Sequence, residues 1–175
     1  MTATRARAWT ALMLAGLVLG TGTLPAVDDQ GQHGAAACAE ETEAVAGMPT
    51  AELGLPGGKH LRVRVAATGA DRAAGMQHLC AEAVDATAIL FVFERPRRPH
   101  FHMNNVHAPL DIAFIAPDGR IVEVHRMTPD QETLTSPGEP VAAALEVAAG
   151  RGAAYGLAAG AVVEMPAGLP GRAGN

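Results

Sequence analysis

Ile89-Leu-Phe-Val-Phe93 is the most restrictive stretch of this 175-residue chain, because it is a run of apolar side chains of strand length with no polar residue to turn toward water. Successive side chains of a strand point to opposite faces, so such a run predicts a strand covered on both sides. Residues 110–116 form another apolar strand. Pro117-Asp-Gly119 then supplies turn chemistry, and residues 120–127 return as the partner of a hairpin. Upstream, residues 59–66 alternate, with Leu61, Val63 and Val65 opposite His60, Arg62 and Arg64, the pattern of a half-buried strand.

Further strands are expected at 100–104, 141–147 and 161–165, and Arg95-Pro-Arg-Arg-Pro99 is expected to break the first apolar run. Thr68-Gly-Ala-Asp71 offers a helix start leading into 72–79, and 148–155 has room for one or two helical turns. Short strands with tight turns predict a mainly β fold, a compact antiparallel sandwich or jelly-roll-like barrel with one or two short helices. The sequence shows no βαβ rhythm and lacks both G-x-G-x-x-G and G-x-x-x-x-G-K-[ST], which argues against Rossmann and P-loop nucleotide binders. Hydrophobic residues make up 49% but aromatics only 3%, so the core must come mainly from Val, Leu, Ile, Met and four Phe.

The ends of the chain read differently from its middle. Arg5 and Arg7 precede an apolar run over 9–19 that is well short of the roughly 20 residues needed to span a bilayer. Residues 1–26 therefore read as a secretory signal, and the mature chain is expected to be periplasmic or extracellular with no membrane span. Residues 27–50 lack a hydrophobic period and read as a flexible linker, 51–166 as a single β-rich domain, and 167–175 as a disordered tail. In an oxidising compartment Cys38 and Cys80 are candidates for a disulfide; closing that loop contributes roughly 4 kcal/mol in the chain-entropy model. Lipidation of Cys38, after Ala35-Ala36-Ala37, is the alternative. Thirteen Lys+Arg against eighteen Asp+Glu, interspersed and summing to −5, argue against nucleic acid as a partner.

Several motifs appear in order: Asp71-Arg72-Ala-Ala-Gly75-Met76, Ile89-Leu-Phe-Val-Phe93, Met103-Asn-Asn105 through Pro109-Leu110-Asp111-Ile112, Asp118-Gly119-Arg120-Ile121-Val122 and Ala144-Leu145-Glu146-Val147. Together they resemble the domain of unknown function 192 family, with its E-R-x-x-G-L-M, G-M-L-F-V-F, W-M-K-N-T-x-x-P-L-D-I-I-F-I, D-G-x-I-V and V-L-E-L pattern. The resemblance implies a compact β-sandwich of jelly-roll type, commonly exported, with no established biochemical activity. His102, Asn104 and Val106 stand where that pattern has Trp, Lys and Thr.

The leading functional reading is a binding or accessory module for a small ligand or an exported protein partner. Its surface site lies near the loop from Met103 to Asp111, with Arg72, Asn105 and Asp111 as ligand-binding candidates. An alternative is copper or zinc binding. His100 and His102 project to one face of an extended segment, and His107 or His125 must supply a third ligand, since zinc takes three or four. A hydrolase is a further alternative, weakly supported. Ser136, the only serine, lacks a G-x-S-x-G context, and Cys80 has His78 nearby in sequence but pointing apart on a helix. The acids available for a carboxylate pair are Glu82, Asp85, Glu94, Asp111, Glu123 and Glu146.

Overall fold

Period-2 alternation in three strands sorts their side chains into two separate cores. In the computed structural model, which describes residues 38–169, β3 (Ile89–Arg97), β4 (Leu110–Ile115) and β6 (Val141–Ala148) lie side by side, with β6 in the middle. Ile89, Phe91 and Phe93, with Leu110, Ile112, Phe114, Ala144 and Ala148, enter one core. Their neighbours Leu90, Val92, Ala113, Ile115, Ala143, Leu145 and Val147 enter the other. Both faces of these strands are thus withdrawn from water, as the uninterrupted apolar runs require.

The remaining strands extend this centre to a six-stranded sheet of order β1-β2-β3-β6-β4-β5, where β1 is Thr50–Gly54, β2 His60–Ala66 and β5 Ile121–Met127. The mainly β class is as expected, and the sheet is not closed and is mixed, with one parallel pair. β2 and β3 run parallel, pairing Arg64 with Ile89 and Ala66 with Phe91. Parallel neighbours need a crossover, and it is supplied by two helices, α2 (Gly69–Ala74) and α3 (Ala81–Ala86). One βαβ unit therefore exists where none was expected, because its helices are too short to show a hydrophobic period. At the expected helix start, Thr68 and Asp71 form a capping box, and hydrogen bonds from the Thr68 backbone and hydroxyl hold the Asp71 carboxyl below its usual range. It stops at Gly75 (φ 49°), short of the expected end at 79.

Other boundaries moved too. β3 does not break at Arg95; it continues through Pro96 to Arg97 with a register shift after Val92, which accommodates a residue that cannot donate to a ladder. Of the strand expected at 100–104, only a bridge between Phe101 and Thr135 forms, since the chain turns at Asn105 (φ 58°). Residues 161–165 likewise make only bridges, Val162 to Arg120 and Glu164 to Gly54. The predicted β4–β5 hairpin is present. The described residues hold four short helices where one or two were expected, the others being α1 (Glu43–Gly47) and α4 (Arg151–Ala154).

α1 falls inside the expected linker and corrects its described part. Val45 and Met48 are buried in the core that holds Phe91, so residues 38–49 belong to the packed domain. Cys38 and Cys80 form a disulfide, their Cα atoms 4.8 Å apart, and Ala39 exchanges backbone hydrogen bonds with His78 and Cys80 beside it. The bridge excludes Cys38 as a lipid acceptor and Cys80 as a nucleophile in this oxidised form. The proposed signal (1–26), the linker up to 37 and the tail from 170 lie outside the described residues. No helix among those described is long and apolar enough to cross a membrane.

The disulfide closes a loop that includes α1, β1, β2 and α2. Replacing both cysteines by serine is expected to lower the unfolding free energy by about 3–4 kcal/mol. A urea titration of the two proteins checks this, and coincident midpoints would show that the bridge adds nothing.

Candidate ligand pocket

The two acids that are buried sit on adjacent strands and have opposite surroundings. Asp111 of β4 is 6% exposed and Glu146 of β6 is 4% exposed. Asp111 lies on the side of β4 shared with Ala113 and Ile115. Its Oδ2 accepts hydrogen bonds from the backbone N–H of Gly150 (2.7 Å) and Gly152 (3.2 Å), and its Oδ1 from the Arg126 guanidinium. A Cβ at residue 152 would stand 3.0 Å from Oδ2, so glycine permits the close approach. Asp111 is thus the clamp that holds the turn after β6, and it does not line the pocket described below. Removing its carboxylate would orphan buried donors, at about 1–3 kcal/mol each.

Glu146 has no such partners. The register places it between Ile89 of β3 and Ile112 of β4, facing the core of Phe91 and Phe114. Among the described residues no donor hydrogen-bonds to its carboxyl, and burial alone raises its pKa from an ordinary 4.5 to about 8. The carboxyl forms the floor of a cavity of about 160 Å³. Met76, Phe91, Phe93, Phe101 and Val106 supply apolar walls, and Phe91 meets Phe101 edge to face at 5.0 Å. Arg72, Gln77, Arg97, His100 and His102 are the other polar residues of the lining.

The segments that form this pocket are set by local turns. Asn105, in a left-handed conformation, accepts the His78 N–H at its carbonyl (2.7 Å) and donates its side-chain amide to Gln77 (3.3 Å). It braces the loop after Met103 against the segment following α2 without lining the cavity. Arg72 donates to the carbonyls of Ala67 and Val92, and its guanidinium lies 5.9 Å from the Phe93 ring centroid. The Ser136 hydroxyl donates to the Pro99 carbonyl (2.9 Å), so its 2.6 Å contact with His100 runs from the imidazole Nδ1–H. That leaves Ser136 an orienting group for the imidazole rather than a nucleophile.

Of the sequence candidates, Arg72, His100 and His102 come together at the pocket, while Asn105, His107 and Asp111 do not. The expected His100, His102 and His107 metal cluster does not assemble: among the described residues no three His, Cys, Asp or Glu side chains are grouped to hold an ion. His125 is committed to Glu123 (2.7 Å), on a strand away from the cavity. That hydrogen bond, with one from the Gly138 N–H, holds the Glu123 carboxyl below its usual range. Sequence reasoning missed Glu146 as a site residue. Its signal was a lone acid inside the otherwise apolar stretch 141–148.

The domain that carries this pocket is of a known kind. The family model DUF192, described as "Uncharacterized ACR", matches residues 53–165, and the chain belongs to that family. A crystal structure from Sinorhizobium meliloti 1021, described as a "putative transcription regulator", is similar, with a TM-score of 0.60 and 30% identity over 70% of this chain and 97% of that one. A Novosphingobium aromaticivorans DSM 12444 protein of unknown function gives a TM-score of 0.59 and 28% identity over 75% and 96%. No curated protein matches the chain.

The Glu146 environment has a measurable pH signature. Between pH 4.5 and 8 the folded chain keeps a proton that the unfolded chain has released, so stability falls as pH rises through this window and the loss levels off above 8. Relative to Glu146→Gln, which cancels every other titration, the wild type is expected to lose on the order of 3–5 kcal/mol across it. Denaturant titrations of both proteins at several pH values check this, and parallel profiles would place the carboxyl in contact with water or a donor.

Proposed function

We propose that this DUF192 protein is an exported binding module whose cavity above Glu146 takes a small organic molecule. The observation that carries the reading is the unpartnered Glu146 carboxyl at the floor of an aromatic-walled pocket. Desolvating a carboxyl with no protein donor costs stability, and its only outlet here is the cavity it lines. Pockets with mostly apolar walls and a few convergent polar groups are the ordinary form of a small-molecule site. Export is supported by the signal-like pattern of residues 1–26 and by the Cys38–Cys80 bridge, which suits an oxidising compartment. The regulator description of the Sinorhizobium protein is not carried over, since a chain of net charge −5 with interspersed bases lacks the electrostatic footprint for DNA.

Glu146→Leu tests the pocket reading. The variant is expected to be more stable than the wild type at pH 8.5 and to bind single-ring polar fragments at least about tenfold more weakly, as the loss of one buried polar contact implies. Ligand-observed NMR with a fragment library measures this. Equal binding by both proteins, or none by the wild type, would defeat the reading.

Export is tested separately by fractionating cells and sequencing the protein's N-terminus. The expected result is a chain outside the cytosol that begins near Val27 with no free thiol; recovery of the intact precursor from the cytosol alone would count against it.

A further inference from the structure

The pocket reading leaves the occupant's chemistry open, and the distribution of charge around the cavity narrows it. Every ionisable group lining the cavity above its floor is basic: Arg72, Arg97, His100 and His102. The one acid, Glu146, is buried beneath them. Arg72 is engaged by the carbonyls of Ala67 and Val92. Arg97 is exposed, with its guanidinium 5.8 Å from the Phe93 centroid, and has no carboxylate partner among the described residues. In this it differs from Arg64, Arg120, Arg126 and Arg151, each of which is paired with an acid. His100 is oriented by Ser136 so that its second ring nitrogen is left without a protein partner.

Size narrows the choice further. A dry cavity of about 150 Å³ holds one benzene molecule in a well-studied engineered case, and the volume here is about 160 Å³. The aromatic walls of Phe91, Phe93 and Phe101 suit a flat apolar body of that size.

Resting on the pocket reading, we infer that the occupant is an organic anion with an apolar body of about one ring. Its anionic group lies at Arg97 and His102, and a neutral polar group at its far end meets Glu146. A protonated carboxyl at the floor donates its O–H to a hydroxyl or carbonyl oxygen and accepts from a hydroxyl at its own carbonyl, so a neutral partner satisfies it without burying a charge. The raised pKa of Glu146 fits this protonated role at neutral pH. A cationic ligand would have to pass a mouth of like charge and draw a proton off the floor.

Three probes share one ring and differ in charge and in the far group: 4-hydroxyphenylacetate, phenylacetate and tyramine. Isothermal titration of the full-length oxidised protein at pH 7 is expected to rank 4-hydroxyphenylacetate at least about tenfold tighter than tyramine, with phenylacetate weaker than its hydroxylated relative. Arg97→Ala, on an exposed side chain, should leave the melting temperature unchanged and weaken 4-hydroxyphenylacetate roughly five- to tenfold. Tyramine binding as tightly as the acid, or affinity for the acid untouched by Arg97→Ala, would overturn the anion assignment while leaving the pocket reading standing. Failure of all three probes while other single-ring fragments bind would have the same consequence. Failure of the whole fragment library would remove both readings.

Discussion

Burial of β6 on both faces is the constraint from which the rest of the structure follows. It is the last strand in sequence yet lies in the middle of the sheet, hydrogen-bonded to β3 on one side and β4 on the other. Neither core can close until residues 141–148 insert between strands that precede them, so the decisive contacts are far apart in sequence. Such topologies depend on non-local pairing and fold slowly compared with helical bundles. The covering layers are correspondingly thin. Side chains from α1, α3 and the segment after α2 shield one face, and the other is closed by Leu53, Leu55, Leu157 and Val163 from β1, loops and the C-terminal segment. The disulfide ties α1 to this assembly at a point where only five residues of helix are available to hold it.

Within that doubly covered sheet, a carboxylate survives only on particular terms. Asp111 meets them with two backbone N–H groups and a guanidinium. Such charge-assisted hydrogen bonds replace the water it has lost. Glu146 is flanked by two isoleucines instead, and it lines the cavity. The two acids differ by one position of strand parity: Asp111 faces the turn after β6, and Glu146 faces the opposite core. Chemistry that looks alike in sequence is thus divided between architecture and site by the side of the sheet on which each residue emerges.

Parity also explains how much was legible in the sequence. Residues 89–93, 110–116 and 141–147 announce strands because uninterrupted apolarity has few other outlets, and the Pro117-Asp-Gly119 turn fixes one pairing directly. α1, α3 and β1 were missed because elements of five or six residues in Ala- and Glu-rich stretches show no period to detect. The parallel β2–β3 pairing was hidden with them, since its crossover runs through α2 and the unforeseen α3. At the site, Arg72 was legible as a ligand-binding candidate, and His100 and His102 as a metal-ligating pair. Asn105 and Asp111 stood out in the same motif but serve its geometry. Glu146 appeared only as one acid among several, because nothing local distinguishes a carboxyl that finds a donor across the sheet from one that does not.

That distinction has an energetic consequence that ties fold to function. A protein with an ordinary margin of about 5–15 kcal/mol loses a substantial fraction of it by desolvating a carboxyl that no protein donor reaches and that meets only the cavity. The fold has an easy remedy, since leucine at residue 146 would continue the apolar face set by Ile89 and Ile112. A bound molecule offers a different one: a ligand present at a hundred times its dissociation constant stabilises the native state by about 2.7 kcal/mol, comparable to the penalty. The pocket places such a ligand against the same carboxyl whose desolvation is costly. Glu146 therefore weakens the empty protein in the place where occupancy can restore what was lost, which makes stability itself a reporter of ligand binding.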